Sequence, residues 1–164
     1  MPKGIMSLGD TKLMQIKKVL VGIDGSQSSE KALDFALDFA EKFDAGVTIL
    51  NVSESLAVVQ GPQESVTYPG VSNSNVVAKD LRRIHEEILS KGLERARKLK
   101  PNMLVSSMLK EGDPSLEIVS TAKEGGFDAI VLGHKGLGKI QEILLGSVSE
   151  KVAHLAPCPL VIVR

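Results

Sequence analysis

The sequence contains no tryptophan, and aromatic residues make up only 3% of it. Proteins that bind single-stranded nucleic acid stack exposed bases on aromatic side chains, which are scarce here. The 20 basic and 20 acidic side chains also cancel, which removes the overall attraction to polyanions that nucleic-acid-binding proteins show. The composition therefore argues against nucleic acid as a partner.

Cysteine and long apolar runs are scarce as well. Cys158 is the only cysteine, so no intramolecular disulfide can form and nothing indicates an oxidising compartment. No stretch is apolar and long enough to span a bilayer, and the start, MPKGIMSLGDTKLMQ, lacks the continuous apolar segment of a secretory signal. We expect a cytoplasmic protein with no membrane partner, in which Cys158 is a structural thiol.

Common metal-site and hydrolase patterns are also missing. The three histidines, His85, His134 and His154, are scattered, and no CxxC or HExxH pattern occurs. No GxSxG sequence marks a nucleophilic serine. We therefore expect neither a metal site built from protein ligands alone nor a hydrolytic triad.

Five runs rich in valine, isoleucine and leucine predict the strands of one domain, which is the size expected for 164 residues. The runs are KKVLVGID, GVTILNVS, MLVSSML, FDAIVLG and PLVIVR. Most lack alternating polar residues, which is typical of parallel strands covered on both faces. Segments with helical spacing separate them, so the sequence predicts an α/β fold with a single open, doubly wound, five-stranded parallel sheet and helices on both faces.

The segments between the strands predict four helices. The first, SSEKALDFALDFAEKF, and the second, from about Lys79 to Leu99, each carry an apolar stripe at helical spacing. The third begins at Asp113 and Pro114 and ends at Gly125, and the fourth begins near Ser147. The residues predicted to face inward are Ala32, Ala36, Phe39 and Phe43 in the first helix, Leu81, Ile84, Ile88, Gly92 and Ala96 in the second, and Val148, Val152 and Leu155 in the fourth.

Two segments do not fit this alternation. We expect residues 1–16 to be a flexible N-terminal extension that precedes a domain at residues 17–164. Residues from about 55 to 78 mix glycine, proline, serine and asparagine, and they form a connection too long for an ordinary loop. Such an insertion is either a mobile surface loop or a lid over a site.

The segment VLGHKGLGKIQEILLGSVSEK, at and after the fourth strand, carries a glycine-rich pattern. Gly133 and Gly136 lack a Cβ atom, which permits tight turning and close approach of the backbone to a ligand. Gly146 and Ser147 begin the last helix, whose free amides and positive dipole end favour a phosphate. We predict that the amides at Gly133, Gly136 and Gly146 converge on one polyphosphate.

Asp24 follows the first strand in GIDGS. It borders the same crevice as Gly133 if the first and fourth strands are neighbours where the strand order reverses. Its carboxylate can hold a ribose hydroxyl, an adenine amino group or a metal ion. It can equally form a turn or a helix cap beside Gly25 and Ser26, and the sequence leaves both roles open.

Two better-known nucleotide motifs fail in this region. Residues 133–139 fit GxxxxGK, but Ile140 replaces the serine or threonine that ligates magnesium in a Walker loop. The dinucleotide pattern GxGxxG requires a third glycine where Gln141 stands. Neither a Walker P-loop nor a Rossmann dinucleotide site is therefore predicted.

The glycine spacing itself is G-x2-G-x9-G-[ST], filled by Gly133, Gly136, Gly146 and Ser147, and with it the chain resembles the ATP-binding universal stress proteins. EGDPS before the third helix, GGFDAIVLG before the motif and LAPCPLVIVR at the end are also family-like. The resemblance spans roughly residues 17–164. The segment between the first two glycines departs from the commonest family pattern, because His134 and Lys135 replace a small residue followed by a basic or imidazole one.

The resemblance implies a sheet of strand order 3-2-1-4-5 that binds ATP between strands one and four, with Mg²⁺ held through the phosphates. The residues implied to hold phosphates and ribose are Gly133, Gly136, Gly146, Ser147 and Val148. The residues implied to border the nucleoside are Gly22, Ile23 and Asp24, with Val52 and Leu132 as walls of the adenine pocket. The resemblance also implies a homodimer formed by antiparallel pairing of the last strand, Leu160 to Val163.

These observations favour an ATP-binding regulatory protein of the stress response. Its function would depend on the binding of ATP and not on its hydrolysis. No general base or nucleophile is evident in the glycine-rich segment, which argues against fast hydrolysis. The first alternative is a slow ATPase or autophosphorylating enzyme in which Asp24 and a divalent cation position the phosphates. The second alternative is a dimeric interaction module that does not use ATP.

Overall fold

A computed structural model describes residues 15–54, 74–136 and 145–164 of the chain. Strands and helices alternate along these residues. The strands are β1 (Lys18–Gly22), β2 (Gly46–Ser53), β3 (Val105–Glu111), β4 (Ala129–Gly133) and β5 (Leu160–Val163). The helices are α1 (Gln27–Lys42), α2 (Ser74–Leu99), α3 (Pro114–Gly125) and α4 (Ser147–Leu155).

The strands form one parallel sheet in the order β3-β2-β1-β4-β5, which confirms the predicted fold and strand order. From β1 the chain builds one side of the sheet through β2 and β3, and it then crosses back to add β4 and β5 on the other side. Val19 of β1 consequently pairs with Val47 on one side and with Ala129 on the other. The strand order reverses between β1 and β4, which is where open α/β sheets bind ligands.

Both faces of the sheet are covered by helices. Val19 and Val21 of β1 point to the layer formed by α1 and α2, whereas Leu20 points to the layer formed by α3 and α4. All three side chains are fully buried. A strand that is buried on both sides needs apolar residues at successive positions, which explains why these runs lack polar alternation.

Side-chain caps define where α1 and α3 begin. The Ser26 hydroxyl accepts a hydrogen bond from the Ser29 amide at 3.1 Å. The Asp113 carboxylate accepts one from the Leu116 amide at 2.9 Å. This bond lowers the pKa of Asp113 below its usual value, and a hydrogen bond of 3.1 Å from Lys151 of α4 lowers it further. Asp113 therefore both caps α3 and ties it to α4.

One predicted helix boundary is confirmed, and two other predicted boundaries shift in the structure. Gly125 is the last residue of α3, and Gly126, with φ of 59°, adopts the left-handed conformation that ends the helix. α2 begins at Ser74 rather than near Lys79, so it includes the end of the segment predicted to be a loop. Ile16, assigned to the flexible extension, is 7% exposed and packs in the α1/α2 layer. Residues 1–14 and 55–73 lie outside the described part of the chain.

Three residues predicted to face inward do not. Phe43, which directly follows α1, Ile84 of α2 and Leu155 of α4 are 42%, 51% and 46% exposed. In α2 the buried face runs through Leu89 and Ala96, and Ile84 lies on the order of 100° away from it around the helix. The spacing of apolar residues predicts that a stripe exists, but its direction is set by the sheet on which the helix packs. The other residues predicted to face inward are buried or half-buried.

We expect Leu20→Ala to lower the free energy of unfolding by about 2–5 kcal/mol, because it leaves a cavity between β1 and the α3/α4 layer. Leu104→Ala is the control, since Leu104 is 81% exposed and its truncation should change stability by about 0.5 kcal/mol or less. Urea denaturation followed by circular dichroism measures both. Equal destabilisation by the two substitutions would contradict the assignment of Leu20 to this layer.

Candidate functional site

Asp24 and Gly136 lie close together beyond the carboxyl ends of β1 and β4. β1 ends at Gly22 and β4 at Gly133, so Asp24 and Gly136 lie in the loops that follow these strands. A Cβ atom built on Gly136 would lie 2.7 Å from the Asp24 Oδ2 atom. A side chain at position 136 would therefore collide with this carboxylate. The structure brings Asp24 and the glycine motif together, as the predicted strand order requires.

The two carboxylate oxygens of Asp24 have different surroundings. Oδ1 accepts a hydrogen bond from the Ser26 amide at 2.9 Å, which makes an Asx turn just before α1. The Asp24 amide donates to the Ser29 hydroxyl at 3.3 Å, which further fixes this loop. Oδ2 faces Gly136 across the crevice. Asp24 is thus a turn former, and its second carboxylate oxygen faces the glycine-rich segment after β4.

Gly133 is packed against the first turn of α1. A Cβ atom at this position would lie 2.5 Å from the Ser28 Oγ atom and 2.8 Å from the Ser28 carbonyl oxygen. The Ser28 hydroxyl also lies 3.1 Å from Nδ1 of His134, and it accepts a hydrogen bond from the Lys135 amide at 3.4 Å. Only glycine fits between α1 and the backbone that follows β4.

Two hydrogen bonds join the end of β4 to the start of α4. The Ser149 hydroxyl donates to the Gly133 carbonyl at 2.7 Å. The Gly146 amide donates to the His134 carbonyl at 2.8 Å, which corrects the prediction that this amide points at a phosphate. Gly146 has a steric role instead, because a Cβ atom there would lie 3.3 Å from the His134 oxygen and 3.4 Å from Lys135 Cα.

The first turn of α4 follows this loop. Gly146 is the N-cap, and it has no side chain that could bond the amides of the turn. Among the described residues, none accepts a hydrogen bond from the Ser147 or Val148 amide. Free amides at a helix N-terminus, together with the helix dipole, attract anions. Lys135 is half-buried in the preceding loop, whereas Lys139 lies outside the described residues.

The apolar residues predicted to wall a nucleoside belong largely to the core. Leu132 is 4% exposed, and its Cδ2 atom lies 2.6 Å from the position of a Cβ atom on Gly22. Ile23 is 8% exposed and packs in the α1/α2 layer. Val52 is half-buried against the opposite layer and keeps more free surface than either. A ligand at this edge would therefore meet Leu132 and Ile23 mainly through backbone atoms.

Sequence reasoning missed three polar side chains that shape this region: Ser28, Ser149 and Asn51. Ser149 and Asn51 are 5% and 2% exposed. Asn51 donates from Nδ2 to the Ile23 carbonyl at 2.7 Å, and its Oδ1 atom lies 2.6 Å from Nδ1 of His85. An asparagine inside the apolar run GVTILNVS was the available signal, because a buried polar side chain needs partners.

Some features of the described ranges do not contribute to a site. No helix in them is long and apolar enough to cross a membrane. No group of three or more His, Cys, Asp or Glu residues within those ranges is placed to hold a metal ion. Burial raises the pKa of the half-buried Cys158 thiol, and Asp128 adds to the effect, which favours the protonated thiol over the reactive thiolate.

The fold is that of a doubly wound α/β protein, with a candidate site near Asp24 and the start of α4, where the strand order reverses. A family model described as the Universal stress protein family matches residues 15–164. The chain belongs to the universal stress protein family, which confirms the predicted family. Universal stress protein YxiE of Bacillus subtilis (strain 168) is 34% identical over 147 residues, which cover 90% of this chain and 98% of that protein.

Solved structures of the family share this fold. The universal stress protein UspA from Lactobacillus plantarum is 20% identical with a TM-score of 0.67, and the match covers 92% of this chain and 99% of that chain. A universal stress protein in complex with cAMP is 28% identical with a TM-score of 0.67, and the match covers 92% of this chain and 98% of that chain.

We expect Gly133→Ala to lower the free energy of unfolding by about 1–3 kcal/mol, because the added methyl group overlaps Ser28. Gly46→Ala is the matched control, since a Cβ atom on this strand glycine would make an ordinary contact of 3.5 Å with Leu104. Differential scanning calorimetry of both variants measures the effect. A melting temperature of Gly133→Ala equal to that of the wild type would show that α1 does not press on this backbone.

Proposed function

We propose that this protein binds ATP in the crevice between β1 and β4 and acts as a cytoplasmic regulatory protein of the stress response. The observation that carries the proposal is the contact of Gly136 with Asp24 Oδ2, in the loop that leads to the uncapped first turn of α4. The strand order reverses between β1 and β4. The segments that follow these two strands supply the Asp24 carboxylate, two glycines without side chains and the N-terminus of α4. This combination suits a ligand with hydroxyl groups at one end and phosphates at the other.

The charges of the crevice favour one orientation of the nucleotide. We place the phosphates at the Ser147 and Val148 amides, where the dipole of α4 stabilises negative charge. The Asp24 carboxylate repels phosphate, but it accepts hydrogen bonds from hydroxyl and amino groups. We therefore place the ribose or the adenine amino group beside Asp24, with Gly133 and Gly136 along the backbone between the two ends.

The remaining contacts follow from this orientation. The adenine is placed toward Val52 and toward the backbone of Gly22, Ile23 and Leu132, and Mg²⁺ is held through the phosphates. The relative in complex with cAMP supports an adenine nucleotide as the class of ligand, since that protein shares both the family and the fold. ATP is our choice within this class because the glycine spacing matches that of the ATP-binding members of the family.

Isothermal titration calorimetry with ATP tests the proposal directly. We expect Gly136→Val to weaken ATP binding about tenfold or more, because its side chain occupies the space between the backbone and Asp24. Ala153→Val is the control, since Ala153 is exposed on α4 and we place no ligand atom there. Unchanged ATP affinity in Gly136→Val, or no heat of binding with the wild type, would contradict the site.

We also propose that two copies of the chain pair through β5. This strand lies at one edge of the sheet. Pro159 accepts a hydrogen bond from the Ile130 amide at 2.9 Å, and Val163 accepts one from the His134 amide at 2.8 Å. Because alternate residues of a parallel strand bond to the same neighbour, the backbone groups of Ile162 face the open edge. Antiparallel pairing with a second copy would satisfy them.

We expect Ile162→Pro to convert a dimer into a monomer, because proline removes an outward N–H group and leaves the bonds to β4 in place. Ile162→Ala is the matched control: it loses the same side chain but keeps the N–H group, so it should remain dimeric. Light scattering after size-exclusion chromatography measures the mass of each. A monomeric wild type in concentrated solution would contradict the proposal.

A further inference from the structure

We propose that His85 is a positioning residue for the nucleoside end of the crevice, and that it acts through Asn51 with a proton on its Nδ1 atom. The proposal rests on the ATP site proposed above. It extends that site to α2, a helix that carries none of the residues predicted to bind the nucleotide.

The directions of the hydrogen bonds follow from the acceptor at one end. The Ile23 carbonyl can only accept, so the Asn51 Nδ2 group must face it, at 2.7 Å. The Asn51 Oδ1 atom then faces Nδ1 of His85 at 2.6 Å, and an amide oxygen also only accepts. His85 must therefore carry a proton on Nδ1. The neutral Nδ1–H tautomer and the imidazolium both carry this proton.

The hydrogen bonds from His85 through Asn51 end at Ile23, next to residues that we place at the nucleoside. Ile23 directly precedes Asp24, and Asn51 directly precedes Val52. Asn51 is 2% exposed, so water does not replace a lost partner, and an unbonded buried amide is unfavourable. The side chains of Asn51 and His85 therefore fix the backbone that carries Asp24 and Val52.

Two close contacts of α2 reach the same end of β1. A Cβ atom on Gly92 would lie 2.9 Å from Cδ1 of Ile23. A Cβ atom on Gly25, which has φ of 83°, would lie 3.3 Å from Cδ1 of Ile88. The position of α2 consequently limits where residues 23–25 can lie, and Asp24 is the middle residue of that segment.

The opposite end of α2 is held differently. Arg95 makes two hydrogen bonds of 2.6 Å to Asp34 of α1, and Lys100, just after α2, pairs with Asp38 at 2.9 Å and Glu41 at 2.7 Å. These ion pairs are partly exposed to solvent, so salt weakens them. In the described structure, the bond to the buried Asn51 is the polar contact that fixes α2 at the crevice end.

The first test measures the tautomer of His85 in the nucleotide-free protein by long-range ¹H–¹⁵N NMR. The His85→Asn variant assigns the signal, since the chain has only three histidines. We expect the Nδ1–H tautomer for neutral His85 and a predominance of the Nε2–H tautomer for the exposed His154. An Nε2–H tautomer at His85 would overturn the proposal, whether or not the protein binds ATP.

The second test measures ATP affinity by calorimetry. His85→Leu removes the donor and is expected to weaken binding about fivefold. His85→Asn keeps an N–H group near the position of Nδ1 and is expected to stay within about twofold of the wild type. His154→Leu is the matched control at an exposed position and should bind as the wild type does. Equal affinity of His85→Leu and wild type, or equal weakening in both His85 variants, would overturn the positioning role.

The two proposals fail in distinguishable ways. A wild type with the Nδ1–H tautomer but no ATP binding would remove the ATP site, and the positioning role with it, while the bond between His85 and Asn51 would stand. If the wild type binds ATP and His85→Leu binds it equally well, only the positioning role is removed.

Discussion

The adjacency of β1 and β4 is the constraint on which the crevice depends. It brings the loop after β1 and the loop after β4 so close that neither Gly133 nor Gly136 has room for a Cβ atom. One glycine is pressed by Ser28 at the start of α1, and the other by the carboxylate of Asp24. The packing of the protein itself therefore requires glycine at position 133, where the overlap includes backbone atoms, whereas a Cβ atom at position 136 would displace the Asp24 carboxylate.

This packing divides the roles within the glycine motif. Gly146 uses its amide to close the loop onto His134, and Ser149 closes the loop onto Gly133 from the other side. The first turn of α4 differs from those of α1 and α3, because its N-cap is a glycine and makes no side-chain hydrogen bond to the amides of the turn. The described glycines therefore join the end of β4 to the N-terminus of α4, and they are not a ring of equivalent phosphate donors.

The α1/α2 layer contributes to the site as much as the glycine loop does. α1 supplies Ser28, and Ser26 caps its start within the loop that holds Asp24. α2 reaches the ends of β1 and β2 through His85 and through the close approach of Gly92. The position of Asp24 is therefore set jointly by a strand end, a turn and a helix that is distant in sequence.

Much of the fold could be read from the sequence because its signals are local. Apolar runs such as VLVGI and AIVLG predicted buried parallel strands, Asp113 and Pro114 predicted the start of α3, and the glycine spacing predicted the family. The buried faces of the helices were predicted less accurately. Ile84 and Leu155 fit an apolar stripe by their spacing, yet both side chains are exposed. Spacing defines a stripe, whereas the partner surface defines which way it turns.

The sequence by itself determined the alternation of strands and helices, the glycine motif and the presence of Asp24 at a strand end. Only the tertiary structure decided that Asp24 meets Gly136, that the Gly146 amide is used internally, and that Asn51 joins Ile23 to His85. These contacts link residues far apart in the chain, and each hydrogen bond depends on distances and directions that no local pattern encodes. Secondary structure follows from neighbours along the chain, but a site follows from neighbours in space.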